Sequence, residues 1–191
     1  MKFVLFLVGL LILPLCVAAT MTLLSLVEAI NPSSTAAIPP SAWALVGGFL
    51  LWLAVFFCLP RPVRTYVLAH ELTHALWATL SGIEVLGMEV HRENGKVVLS
   101  KTNFLVSLAP YFFPLYTIMV IAAYYVCSVF FDVERFSLFW LGLIGFTWSF
   151  HFTFTITTLM QHQSDIHEYG CFFSYSIIYI LNVIGIALWI V

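Results

Sequence analysis

Charge is scarce in this chain. Of its 191 residues only 8% are Asp, Glu, Lys or Arg, against about 25% in an ordinary soluble domain. A water-soluble globule is thereby excluded. Basic residues are too few for a nucleic-acid binder: 7 Lys and Arg stand against 9 Asp and Glu, with no basic stripe. Cysteine is also sparse. Cys16, Cys58, Cys127 and Cys171 all lie in apolar segments and none forms a CxxC pair, which argues against a disulfide framework or a thiolate metal site. They read as small buried hydrophobes. No internal repeat is evident.

What the chain does have is apolar matter, 62% of it, too much for a disordered segment. A membrane-crossing helix takes about 20 apolar residues. Six such runs are readable, at 3–30, 41–59, 65–81, 104–131, 136–160 and 171–191. The predicted fold class is an all-α polytopic membrane protein with about six transmembrane helices, forming one membrane domain over 1–191. The first run resembles a secretory signal, with Lys2 before an apolar core and Val17-Ala18-Ala19 as a cleavage site. The apolar run continues past it, so a retained helix is expected. Residues 31–40 (NPSSTAAIPP) read as a turn-rich loop.

The only long polar stretch is 82–103. Within it, alternating apolar residues flank Asn94-Gly95, a favoured pair for a tight turn. A β-hairpin is expected there, between the third and fourth helices. Basic residues suggest orientation. Arg61 and Arg64 place the second loop in the cytoplasm, with Lys2 and Arg135 on the same side if all six runs cross. Arg92, Lys96 and Lys101 then fall outside.

The third run contains His70-Glu71-Leu72-Thr73-His74, an HExxH. On a helix, positions i and i+4 share a face. Two imidazoles so placed can hold one zinc ion, and Glu71 can act as general base on a metal-activated water. With 6 His and 7 Glu in the chain, chance supplies the pattern only about 0.007 times. An ionisable group at mid-bilayer costs about 2.5–3.5 kcal/mol on insertion scales, so three within five residues call for a purpose. Catalytic zinc takes three protein ligands and keeps one position open. The candidates for the third ligand are His151, His162, Asp165 and His167, with His91 a remote option. Haem ligation is disfavoured, because histidines four apart on one helix suit one small ion.

An HExxH within an apolar helix, followed some ninety residues later by a lone Asp beside another apolar helix, resembles the site-2 protease family of intramembrane zinc metalloproteases. The resemblance covers 65–170, leaving 1–59 as two accessory helices. It implies that His70, His74 and Asp165 are zinc ligands and that Glu71 is the base. The substrates would be peptide bonds in or near the membrane segments of other proteins. It further implies a lipid-embedded, multi-pass protein of a bacterial cytoplasmic membrane, with substrate choice left to the helices, the hairpin or a separate adaptor. Short β-structure after the HExxH helix also suits that family. In this chain Ile166 follows Asp165, where the family has Gly. For Asp165 to reach the histidines, 161–170 must fold back as a broken helix.

Other features carry weaker expectations. Pro110 and Pro114 should kink the fourth run and could form a ledge beside the zinc. Thr147, His151, Thr155 and Thr158 form a polar stripe expected to face the interior. Asn103 and Asn182 read as interhelical glue or as donors to a substrate backbone. Two rival functions remain open: a non-hydrolytic metal-holding subunit that recruits partners, and a small transporter or haem subunit using buried His and Asp.

Overall fold

The computed structural model describes residues 2–29, 39–92 and 94–190, with side chains up to 188. The loop expected at 31–40 falls outside these residues except for Pro39 and Pro40. Eight helices and one hairpin are described: α1 Lys2–Ala29, α2 Pro40–Cys58, α3 Val63–Leu80, β1 Val85–Val90, β2 Gly95–Leu99, α4 Phe104–Leu108, α5 Leu115–Ser128, α6 Ser137–Leu159, α7 Ser164–Tyr169 and α8 Cys171–Ile190. A single 3-10 turn, Ala109–Tyr111, continues α4. Four helical segments are long and apolar enough to cross a membrane: Lys2–Ala29, Pro40–Cys58, Glu134–Leu159 and Cys171–Leu188.

The other two expected spans differ from simple crossings. Helix α3 is long enough, but it carries the ionisable cluster and falls short in apolar character. The fourth run is broken. Phe104–Tyr111 and Leu115–Ser128 meet at 81°, because Pro110 and Pro114 each remove a helix hydrogen bond near the joint.

Chain direction follows from side-chain partners. Leu45 meets Gly145 and Trp52 meets Thr153, so α2 and α6 run parallel. Phe6 meets Phe172 and Thr20 meets Tyr179, so α1 and α8 run parallel. Tyr175, in the second turn of α8, donates to the Leu159 carbonyl, so α8 starts at the end of the bundle where α6 finishes. Tyr66 meets Thr158, and His70 shares a small cavity with His151, so α3 opposes α6. Tyr116 meets Phe150 and Tyr124 meets Trp140, so α5 also opposes α6. The stretch between α3 and α6 therefore leaves and returns at the same end of the bundle. Lys2, Arg61 and Arg64 share one end and Arg135 lies at the other, correcting the placement of Arg135 that six crossings implied. Arg92 also joins Arg61 and Arg64, since all three line one cleft.

Local chemistry explains the breaks. Pro40 begins α2, where a missing N–H costs nothing. Helix α3 ends in a six-to-one bond from the Ile83 N–H to the Ala78 carbonyl, with Gly82 in the left-handed region at φ +66°. Ile83 and Ala78 then pack with Val106. The turn folds the hairpin back along α3. Asn103 caps α4 by accepting from the Val106 N–H.

The largest packed cluster joins Trp52, Phe56, Phe150 and Phe154 between α2 and α6. Backbones approach closely there: a Cβ on Gly48 would overlap Gly142, and one on Gly145 would overlap Leu45. Small residues allow such contact between apolar helices. Gly47, one residue away, faces open space. In thermal unfolding, Gly48→Ala is expected to destabilise by at least about 1–3 kcal/mol through overpacking. Gly47→Ala should instead stabilise by about 0.5–1 kcal/mol. Equal shifts would show that the α2–α6 approach is not tight.

Candidate metal centre

His70 and His74 lie one turn apart on the inner face of α3. Their ring centroids are 4.8 Å apart and the planes are nearly perpendicular, at 79°. Nε2 of His70 and Nε2 of His74 each lie 3.5 Å from Oδ2 of Asp165. Tetrahedral zinc with bonds of about 2.0–2.2 Å separates its donors by about 3.3–3.5 Å. The donor set suits a divalent ion, and both histidine–aspartate separations match that spacing, with all three donor atoms within 4.8 Å of one another. Among the described residues this is the one group of three such donors.

Each imidazole is oriented from behind. Nδ1 of His74 lies 2.8 Å from the Val106 carbonyl, which requires an N–H there and frees Nε2 as a lone pair. Nδ1 of His70 faces the Tyr66 hydroxyl at 3.3 Å, and Thr158 donates to that same oxygen at 2.8 Å. Tyr111, fully buried, donates to Oδ2 of Asp165 at 3.1 Å and sets its ring edge-on to His70. Asn182 in turn donates to the Tyr111 carbonyl. Sequence reading missed Tyr66 and Tyr111. The signal available was a phenol four residues before His70 and another between the two prolines.

Asp165 arrives on α7, a six-residue helix between α6 and α8. Ile166 holds it in place: only 1% exposed, it packs with Leu108, Tyr111 and Ile178, and Ser174 donates to its carbonyl. The bulky residue after the aspartate is thus an anchor. Burial alone would raise the Asp165 pKa, but the two imidazoles facing it outweigh that and hold the carboxyl well below the usual carboxylate range. That lowering belongs to the metal-free site, where Nε2–H of each ring donates to the carboxylate; an ion would take the place of those protons.

Glu71 is 7% exposed and lines a polar cavity of about 470 Å³ together with His70, His74, Asp165, Val97 and Glu168. The hairpin forms one wall. Its strands pair antiparallel, with Val90 opposite Gly95 and Met88 opposite Val97. At the end of the ladder the His91 N–H donates to the Asn94 carbonyl. Asn94-Gly95 is therefore not the two-residue turn that the sequence suggested, and Gly95 does not adopt a positive φ. Its smallness serves another contact: a Cβ there would sit 2.5 Å from Glu71 Cγ. Pairing alternates in such a ladder, so Gly95 and Val97 turn their backbone N–H and C=O groups away from β1, and the Val97 N–H engages the Glu71 carboxylate.

The remaining candidates lie elsewhere. His151 is on the other side of His70, lining a cavity of about 20 Å³, and its Nε2 is buried without a partner. His162 and His167 stack on each other at 4.1 Å, and His167 also meets the Cys171 thiol. His91 is exposed beside Glu89. The threonine stripe does not face one polar channel. Thr155 lines an apolar groove against α1 and α8, Thr158 serves Tyr66, and Thr147 bonds to its own helix. Asn103 and Asn182 are engaged within the fold.

No family model, curated protein or solved structure matches the chain.

Two measurements check this geometry. Zinc content by elemental analysis should fall at least about tenfold in His74→Ala and in Asp165→Ala, and stay at the wild-type level in His151→Ala. Retention in Asp165→Ala would move the third donor elsewhere. Gly95→Ala should push β2 off α3 at a cost of about 1–3 kcal/mol. Faster hydrogen exchange at 95–99 with unchanged metal content would register it, and unchanged exchange would mean that the strand stands clear of Glu71.

Proposed function

We propose that the chain is an integral membrane protein that hydrolyses peptide bonds in or near the transmembrane segments of other membrane proteins, with zinc as its cofactor. The observation that carries this reading is the position of Glu71. It opens into the same cavity as the donor group His70, His74 and Asp165, and is the one charged residue among those buried in the described structure.

Embedding is supported by the outward faces of the long helices, where Leu11 is 76% exposed, Phe139 64% and Leu188 73%. Such surfaces are at rest in lipid and costly in water. Lys2, Arg61, Arg64 and Arg92 gather at one end, which the positive-inside rule puts in the cytoplasm. His70 lies seven residues from Val63, the first residue of α3, about 10 Å inside that end at 1.5 Å per residue.

Zinc bound at this site supplies a Lewis acid that polarises the peptide carbonyl and acidifies water. The chain does the rest. His70 and His74, fixed by Tyr66 and Val106, present Nε2 to the cavity. Tyr111 keeps Asp165 turned towards them. The Glu71 carboxylate takes a proton from the attacking water and returns it to the leaving amine. A helical substrate must unwind first, because its amides are already paired. The Val97 backbone N–H is engaged by the Glu71 carboxylate, so an extended segment pairing with β2 as an added strand would use the remaining outward groups, the Gly95 N–H and the Gly95 and Val97 carbonyls. Water has a route beside the hairpin, through a second cavity of about 400 Å³ that joins Arg61, Gln161 and Gln163 to Glu71.

Glu71→Gln should retain zinc and lose at least about 100-fold in cleavage of a single-span membrane substrate. The assay is product formation in detergent or nanodiscs alongside elemental analysis. Cleavage at the wild-type rate by the zinc-loaded variant would sink the assignment of the base.

A further inference from the structure

Three of the seven cationic side chains converge on one cleft that the proposed chemistry does not use. Arg61 and Arg64 come from the α2–α3 connection and Arg92 from the hairpin tip. With His91, Pro62, Val63 and Val90 they line a space of about 620 Å³. Among the described residues, no carboxylate lies within ion-pair distance of any of the three guanidinium groups. The nearby Glu89 faces His91, at 3.9 Å. Three cationic side chains around one cleft make it a region of positive potential that favours an anion.

We propose that this cleft binds the phosphate headgroup of an acidic membrane phospholipid, and that the bound headgroup holds the hairpin tip against the start of α3. The inference rests on the membrane-embedded reading above, but not on peptidase activity.

Position favours a lipid over a soluble anion. The cleft adjoins the last turn of α2, one of the helices apolar enough to cross a bilayer. Just before Arg61 in the chain, Phe57 is 74% exposed and Leu59 58% exposed. A ligand with a phosphate for the arginines and acyl chains for Phe57 and Leu59 fits both surfaces. Arg61 is held at that boundary, its guanidinium 4.3 Å from the centroid of the Phe56 ring. Guanidinium forks also match phosphate oxygens in geometry.

The consequence reaches the cavity. Arg92 lies on the cleft, while Asn94 and Gly95, two and three residues on, line the cavity shared by Arg61 and Glu71. A headgroup bridging Arg92 to Arg61 and Arg64 seats the tip of the hairpin and so sets the distance from β2 to Glu71. Lipid composition would thereby control how closely β2 lies against Glu71.

The test uses the full-length protein purified in detergent with a mixture of phosphatidylcholine and phosphatidylglycerol, read by native mass spectrometry. Wild type should retain phosphatidylglycerol with at least about tenfold preference. The triple variant Arg61→Gln, Arg64→Gln, Arg92→Gln should lose that preference, and Arg135→Gln, at the other end of the bundle, should keep it. In nanodiscs, amides at 95–99 should exchange more slowly with phosphatidylglycerol present than in phosphatidylcholine alone, for wild type but not for the triple variant. Undiminished preference in the triple variant overturns the site. Equal protection by inorganic phosphate in phosphatidylcholine nanodiscs overturns the lipid assignment in favour of a free anion. Sodium carbonate extraction of membranes separates the two levels: release of the protein defeats the embedded reading, whereas retention without lipid preference defeats this proposal alone. Loss of cleavage in Glu71→Gln has no bearing on either lipid readout.

Discussion

One carboxylate oxygen organises the centre of this molecule. Oδ2 of Asp165 faces Nε2 of His70, Nε2 of His74 and the Tyr111 hydroxyl within 3.5 Å. In a chain this poor in charge, an ionised carboxylate inside the bundle is costly unless paired. The surrounding fold is arranged around that requirement. The break between α4 and α5 places the Val106 carbonyl behind His74 and the Tyr111 hydroxyl in front of Asp165. The short α7 brings Asp165 back from the polar end of α6, and Ile166 pins it there. Withdrawing any of these supports leaves a buried polar group without a partner, at about 1–3 kcal/mol each.

Close backbone approach is the second constraint. Gly48 and Gly145 let α2 and α6 meet at backbone distance, which seats the Trp52 cluster beside Tyr66. Gly95 lets a strand lie against the carboxylate of Glu71. These glycines act through what their missing side chains allow, at packed interfaces, and not through left-handed backbone. A polar wall of β-structure is thereby held against a helix that carries the reactive groups. Neither a hairpin alone nor a helix alone could bring a strand backbone against Glu71 beside the His70, His74 and Asp165 group.

The hairpin's two ends sit in different surroundings. Its base packs into the apolar turn formed by Ala78, Ile83 and Val106, while its tip lies among arginines. Proposed lipid contact at the tip and proposed substrate contact along β2 therefore act on one rigid ladder. Membrane composition and access to the site become parts of a single mechanical problem.

Much of this was open to inspection in the residues alone. Long apolar runs announce the mostly helical fold and its four helices apolar enough to cross a membrane among the described residues, because helix length and apolar content are local quantities. HExxH identifies two facing imidazoles, because helical period is local too. The hairpin was visible in its alternation. Other matters depended on contacts between residues far apart in the chain. The fourth run turns back where a crossing was expected, because its prolines meet a packed partner surface. Gly95 serves Glu71, 24 positions earlier, where a local reading gave it a turn. Of the four third-donor candidates, Asp165 stands beside both histidines while His151, on α6, faces the rear of His70. That choice comes from how α7 folds over α3, set by Ile166 in its pocket, and spacing along the chain carries no information about it.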